Sequence, residues 1–164
     1  MPYAIMGYSM GSVLAYEMLV RKAIPGELKH FFVAAEVSPK DRALELRKVA
    51  DPTEERIMER ALKLGGLDER MLGNPRFKQI YLKPMLSDYR LFFNYQFGEY
   101  IEKIKVDTTF MYCEKDTALS DVRKWDELIE GVFDYHQIGD NHFFINQHYL
   151  KMAEIINNNM KEYL

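Results

Sequence analysis

The sequence predicts an α/β fold with a parallel sheet, on three observations. Short apolar runs that read as strands alternate with segments of good helix formers. The second of these runs, HFFVAAEV at residues 30–37, is nearly unbroken, which suits a strand covered by helices on both faces. The alternation is interrupted once, over residues 40–98, by a stretch too long for a crossover and too apolar for a linker.

Composition bounds the rest. With 164 residues, 48% apolar and 13% aromatic, the chain has the size of one domain and the means to build a core. The net charge of −3, with both signs mixed along the chain, provides no basic face to follow a phosphate backbone, so no nucleic-acid partner is expected. The single cysteine, Cys113, allows no internal disulfide, and neither a leader nor a membrane-spanning apolar run is present. A cytoplasmic protein with no membrane association is expected.

Taken in order, residues 3–8 (YAIMGY) read as a strand and residues 10–22 as a helix, with Ser9 at their junction. Residues 30–37, 107–114 (DTTFMYCE) and 132–138 (VFDYHQI) are the next three strands, and a helix over about 121–130 separates the last two. The chain closes on a helix from about Asn146, where Tyr149, Met152, Ala153, Ile156, Met160 and Tyr163 recur at spacings of three and four and form one buried stripe. Within residues 40–98, Asp51-Pro52-Thr53-Glu54 reads as a helix start with Asp51 as cap, and Gly65-Gly66 as its end. Asn74-Pro75 opens a further helical run in which Pro84 is expected to break or kink the helix. Residues 40–98 are therefore expected to form a helical lid.

Gly7-Tyr8-Ser9-Met10-Gly11 fits the G-x-S-x-G elbow, in which a serine sits on a sharp strand-to-helix turn in strained backbone geometry. Side chains two positions to either side are expected to collide there, hence the glycines. The alternative is a serine capping a helix after an ordinary glycine turn. A serine nucleophile needs a base, and the base needs an orienting carboxylate, in the chain order Ser, acid, His, each on a loop after a strand. Of the four histidines, His30 opens a strand, His136 lies inside one and His148 sits on the last helix, whereas His142 in IGDNHFF follows the last strand. Asp116 in YCEKDTALS follows the third strand, with Glu114 as the alternative acid. Asp107 lies at the wrong end of that strand and Asp121 reads as a helix cap. Ser9, Asp116 and His142 are the candidate catalytic residues.

These residues resemble a family. GYSMGSVLAYEML, FFVAAEVSP, the segment from Leu62 to Phe97 and NHFFIN are together similar to the type II thioesterases, stand-alone α/β-hydrolases that work beside nonribosomal peptide and polyketide synthases. The resemblance runs over essentially the whole chain and places the family's nucleophile, acid and base on Ser9, Asp116 and His142. It implies an α/β-hydrolase sheet with a helical lid at 40–98, and hydrolysis of acyl thioesters from the phosphopantetheine arm of an acyl or peptidyl carrier protein, with no cofactor of its own. It also implies that the Met10 backbone N–H donates to the oxyanion, and that Met71, Met85, Tyr89, Phe92 and Phe93 are placed either to line an acyl channel or to form lid core. Two local departures are a tyrosine, Tyr8, where the family commonly has histidine, and Asp140-Asn141 where it has glycines.

A larger departure is at the front. Family members carry a set of strands before the elbow, one of whose loops supplies a second oxyanion donor, whereas here the elbow strand begins at the second or third residue. The N-terminal strands are expected to be absent from this chain, leaving the elbow strand as an edge through which it self-associates or meets the rest of a longer protein. A carrier-binding module without turnover and a general carboxylesterase are the competing expectations.

Overall fold

Four parallel strands form the main sheet of the computed structural model, which describes residues 1–48, 53–65, 73–98, 100 and 102–163. In chain order the strands are β1 (Pro2–Tyr8), β2 (Glu27–Ala34), β3 (Ile104–Lys105), β4 (Thr108–Tyr112), β5 (Ile129–Glu130) and β6 (Phe133–Gln137). The main sheet has the order β1-β2-β4-β6, and β3 and β5 make a separate parallel pair. The helices are α1 (Met10–Val20), α2 (Pro39–Arg47), α3 (Glu54–Lys63), α4 (Pro75–Phe77), α5 (Lys83–Phe93), α6 (Leu119–Val122) and α7 (Ile145–Met160). Because all four strands run the same way, the loops that leave them emerge at one edge of the sheet.

The chain divides into two compact units, Met1–Pro39 with Glu99–Leu164, and Lys40–Gly98. In the first, successive residues of β2 face opposite ways, as a period of two requires. On one face, Phe31 and Phe110 pack against Trp125, whose ring also meets Tyr16 of α1 at 5.9 Å. On the other, Phe32, Ala34 and Met111 pack with Phe144 and with Met152 and Ile155 of α7. Burial on both faces explains why β2 and β4 read as continuous apolar runs, and each large side chain so buried stabilises the fold by about 2 kcal/mol.

In the second unit, Ile57 and Ala61, one turn apart on α3, are buried, as are Phe77 and Leu82. Thr53 caps α3, its hydroxyl oxygen accepting from Arg56 N at 3.4 Å. The cap is thus two residues later than expected, and Asp51 and Pro52 lie outside the described residues. Leu64 caps the other end and Gly65 has φ 80°, as a helix stop requires, while Gly66 lies outside the described residues. Asn74 does open a helix, accepting from Arg76 N at 2.9 Å with Pro75 in the first turn. Pro84 does not end it. The helical path passes through a π segment, Lys78–Leu82, and resumes as α5 one residue before the proline. Widening the turn in this way relieves the clash between the ring and the preceding backbone.

Several boundaries differ from expectation. β2 begins and ends three residues early, because Ala35 turns the chain with φ 54°. The helix expected over 121–130 is α6 followed by a 3-10 segment, Arg123–Glu127, and its last two residues are β5. On α7 the buried stripe is Met152, Ile155, Ile156 and Met160, whereas Tyr149, Ala153 and, beyond it, Tyr163 are exposed.

Candidate active site

The junction of β1 and α1 accepts only glycine at position 7. A Cβ there would lie 2.3 Å from Ser12 Cα and 2.6 Å from the Gly11 carbonyl oxygen, both backbone atoms that cannot move aside. Gly11 differs from expectation: a Cβ at that position meets nothing within 4 Å. Ser9 itself has φ 51° and ψ −128°, a conformation that costs a non-glycine residue about 1–3 kcal/mol. The end of β2 holds it there, since the Ala34 carbonyl accepts from Ser9 N at 2.8 Å and from Ser12 Oγ at 3.2 Å. Met10, the next residue, begins α1.

After β4 the chain turns on Cys113, whose carbonyl accepts from Asp116 N at 2.9 Å and Thr117 N at 2.8 Å. The Thr117 hydroxyl donates to Asp116 Oδ2 at 3.1 Å, which fixes the carboxylate. Glu114, the alternative acid, is engaged elsewhere: its Oε2 accepts from Leu119 N at 3.2 Å and caps α6. Asp121 pairs with Lys124 at 2.9 Å, and Asp107 accepts from Val132 N where β4 begins, away from the loops that leave the sheet.

After β6, Gly139 turns with φ 64°, where a Cβ would lie 2.7 Å from Phe144 Cβ. Asn141 Oδ1 then accepts from Phe143 N at 2.9 Å, curling the loop around His142. The imidazole lies between the other two candidates. Nδ1 is 2.6 Å from Asp116 Oδ2 and Nε2 is 2.9 Å from Ser9 Oγ. The carboxylate oxygen can only accept, so Nδ1 carries the proton and Nε2 accepts from the serine hydroxyl. His142 and Asp116 have side chains 8% and 14% exposed, so water competes little for these bonds. The other histidines are engaged differently. His30 is buried against Thr109 Oγ1 at 2.8 Å, His136 meets Asp134 at 2.6 Å, and His148 lies on α7.

Tyr8 adjoins this arrangement, although the sequence marks it only by its place beside Ser9 and as a departure from the family's usual histidine. Its hydroxyl donates to the His142 carbonyl oxygen at 2.5 Å and accepts from Ile145 N at 3.4 Å. Its ring packs against Phe144 at 5.2 Å and meets the His142 ring nearly edge-on at 6.2 Å. Burial pushes the hydroxyl up to about 12, so it remains a donor throughout the neutral range.

Of the five residues assigned to a channel or a lid core, Met71 lies outside the described residues. Met85, Tyr89, Phe92 and Phe93 lie on α5 and are half-buried. Tyr89 and Phe93, with Ile57, Arg56, Arg60 and Lys63, line a cavity of about 340 Å³ within residues 40–98. Phe92 instead carries the Arg42 guanidinium 5.8 Å from its ring centre. Among the described residues no helix is long and apolar enough to cross a membrane, and no group of three His, Cys, Asp or Glu side chains is placed to hold a metal.

Known proteins share this architecture. RedJ, a thioesterase from the prodiginine biosynthetic pathway in Streptomyces coelicolor, superposes with a TM-score of 0.76 at 22% identity, covering 96% of this chain and 63% of RedJ. ClbQ from the colibactin NRPS/PKS pathway gives 0.77 at 18% identity, over 99% of this chain and 70% of ClbQ. In sequence, the medium-chain S-acyl fatty acid synthase thioesterase of Rattus norvegicus is 22% identical over 157 residues, 91% of this chain and 59% of the rat protein. The chain thus spans about three fifths of the length of the rat protein and of RedJ. The model of the thioesterase domain family matches residues 1–160, nearly the full length, and the chain belongs to that family.

Proposed function

We propose that the chain is a serine thioester hydrolase that releases acyl groups from the phosphopantetheine arm of an acyl or peptidyl carrier protein. The observation that carries this reading is the position of His142, hydrogen-bonded to Ser9 Oγ on one side and Asp116 on the other. Ser9 Oγ attacks the thioester carbonyl while His142 Nε2 takes its proton, and Asp116 holds the imidazole and balances the charge it gains. The Met10 N–H, at the start of α1, donates to the oxyanion. When the tetrahedral intermediate collapses, the carbon–sulfur bond breaks and His142 returns the proton to the departing thiolate. Water then attacks the acyl-serine by the same route, giving the free acid and regenerating the serine.

The carrier-bound substrate class draws support from RedJ, named for the prodiginine biosynthetic pathway, from ClbQ, named for the colibactin NRPS/PKS pathway, and from the rat protein, named for fatty acid synthase. In this reading residues 40–98 act as the lid, and Met85, Tyr89, Phe92 and Phe93 serve the acyl chain or the lid's own packing. A buried free thiol at Cys113 fits a reducing cytoplasm. The test is covalent labelling of the folded chain with a fluorophosphonate, with Ser9→Ala as control. Labelling that depends on Ser9 is expected, and its absence sinks the enzyme reading in favour of a carrier-binding module. Hydrolysis of acyl-carrier thioesters faster than simple esters is expected next, and the reverse order identifies a general carboxylesterase.

A further inference from the structure

We propose that Tyr8 is a positioning residue for the reaction, holding the histidine loop to the nucleophile elbow through its hydrogen bond to the His142 backbone. The inference rests on the roles proposed for Ser9 and His142. The distance between Ser9 Oγ and His142 Nε2 joins two segments 133 residues apart in the chain, one leaving β1 and the other leaving β6. These strands are not neighbours, since β2 and β4 lie between them in the sheet. Sheet hydrogen bonds therefore do not set that distance directly.

Beyond the bond to Ser9 itself, two hydrogen bonds reach His142 from outside its own loop. Asp116 holds the ring at Nδ1, but a bond to the ring leaves the backbone that carries it free to shift. Tyr8 supplies the second tie. Its Cα is one residue from Ser9, and its hydroxyl reaches the His142 carbonyl at 2.5 Å and the Ile145 N–H at 3.4 Å, spanning the loop on both sides of Phe144. Among the described residues, the other hydrogen bonds of residues 139–144 to the backbone are local, within the loop or to the first turn of α7. Tyr8 thus couples the nucleophile's own segment to the base's backbone, a shorter path than any through the sheet. An attacking hydroxyl and its base must be held to a fraction of an ångström, and misplacement by 1 Å costs on the order of a hundredfold in rate.

The experiment compares wild type, Tyr8→Phe, which removes only the hydroxyl, and Tyr8→Leu, which also removes the ring. The readouts are the fluorophosphonate labelling rate at Ser9, the melting temperature, and the NMR signal of the His142 Nδ1 proton. Tyr8→Phe is expected to slow labelling about tenfold, with a small change in melting temperature and a broadened, faster-exchanging Nδ1 proton. Tyr8→Leu is expected to slow it at least as much and to melt lower. A Tyr8→Phe protein with wild-type labelling and an unchanged His142 proton overturns the proposal, and a defect confined to Tyr8→Leu assigns the effect to ring packing and overturns it equally. If wild type itself does not label, the hydrolase reading fails separately, and the His142 proton alone decides the role of Tyr8.

Discussion

Gly7 and Gly11 flank Ser9 symmetrically in the sequence, yet the structure makes very different demands on them. Gly7 faces the backbone of the first turn of α1, so Gly7→Ala is expected to destabilise the fold by about 3 kcal/mol, the upper range for overpacking against atoms that cannot yield. Gly11 faces open space on a helix, so Gly11→Ala is expected to stabilise by about 0.5–1 kcal/mol through helix propensity. Urea denaturation of the two variants checks both signs, and equal losses would mean that crowding at the elbow is symmetric after all. The same asymmetry marks what was legible at this scale. The residue types and their order along the chain singled out Ser9, Asp116 and His142, because a parallel sheet sends successive loops to one edge. Tyr8 was legible only as a departure from the family's histidine; its hydrogen bond to the His142 carbonyl was not, because that depends on where the His142 backbone passes, and no spacing encodes it.

At the scale of elements, β2 and β4 carry a pH dependence. Burial pushes His30 below its ordinary 6.5, and the charges of Asp107 and Asp134 oppose this only in part. The unfolded chain therefore binds a proton that the folded chain refuses, and stability is expected to be full above about pH 6.5 and to fall as pH drops from there through the folded-state value. His30→Gln, which can still bond to Thr109, is expected to flatten that fall. Denaturant midpoints at pH 7.5 and 5 decide it, and identical losses in both proteins would assign the acid sensitivity to other groups. Strand identity was readable from apolar runs, but strand ends were not. Ala35 ends β2 in a left-handed conformation that an alanine does not advertise, and β3 and β5 are two residues each, too short to carry a pattern. The π segment before Pro84 is likewise a choice among helical hydrogen-bond patterns, and the proline alone does not dictate it.

For the whole molecule, charge and edges are unevenly shared. Residues 40–98 hold twelve Lys and Arg against nine Asp and Glu, a net of +3, whereas the remainder holds ten against sixteen, a net of −6. Both outer strands of the main sheet pair on one side only among the described residues. β6 is short and carries Asp134, His136 and Gln137, while β1 presents seven largely apolar residues with Met6 exposed. The 164-residue chain is therefore expected to associate through β1 as its concentration rises, and Met6→Lys to suppress this. Light scattering across a concentration series checks it, and a monomer throughout counts against the open edge as an adhesive one. The single tryptophan gives the molecule an optical property of its own. Trp125 is fully buried in one compact unit, and residues 40–98 contain no tryptophan at all. Its emission therefore reports on the sheet, while the helical unit has no tryptophan signal of its own; that unit's buried set is small among the described residues, and its melting is expected first. On heating, the far-ultraviolet helix signal should begin to fall while the tryptophan spectrum is still blue, and superimposable curves would show that the two units unfold as one.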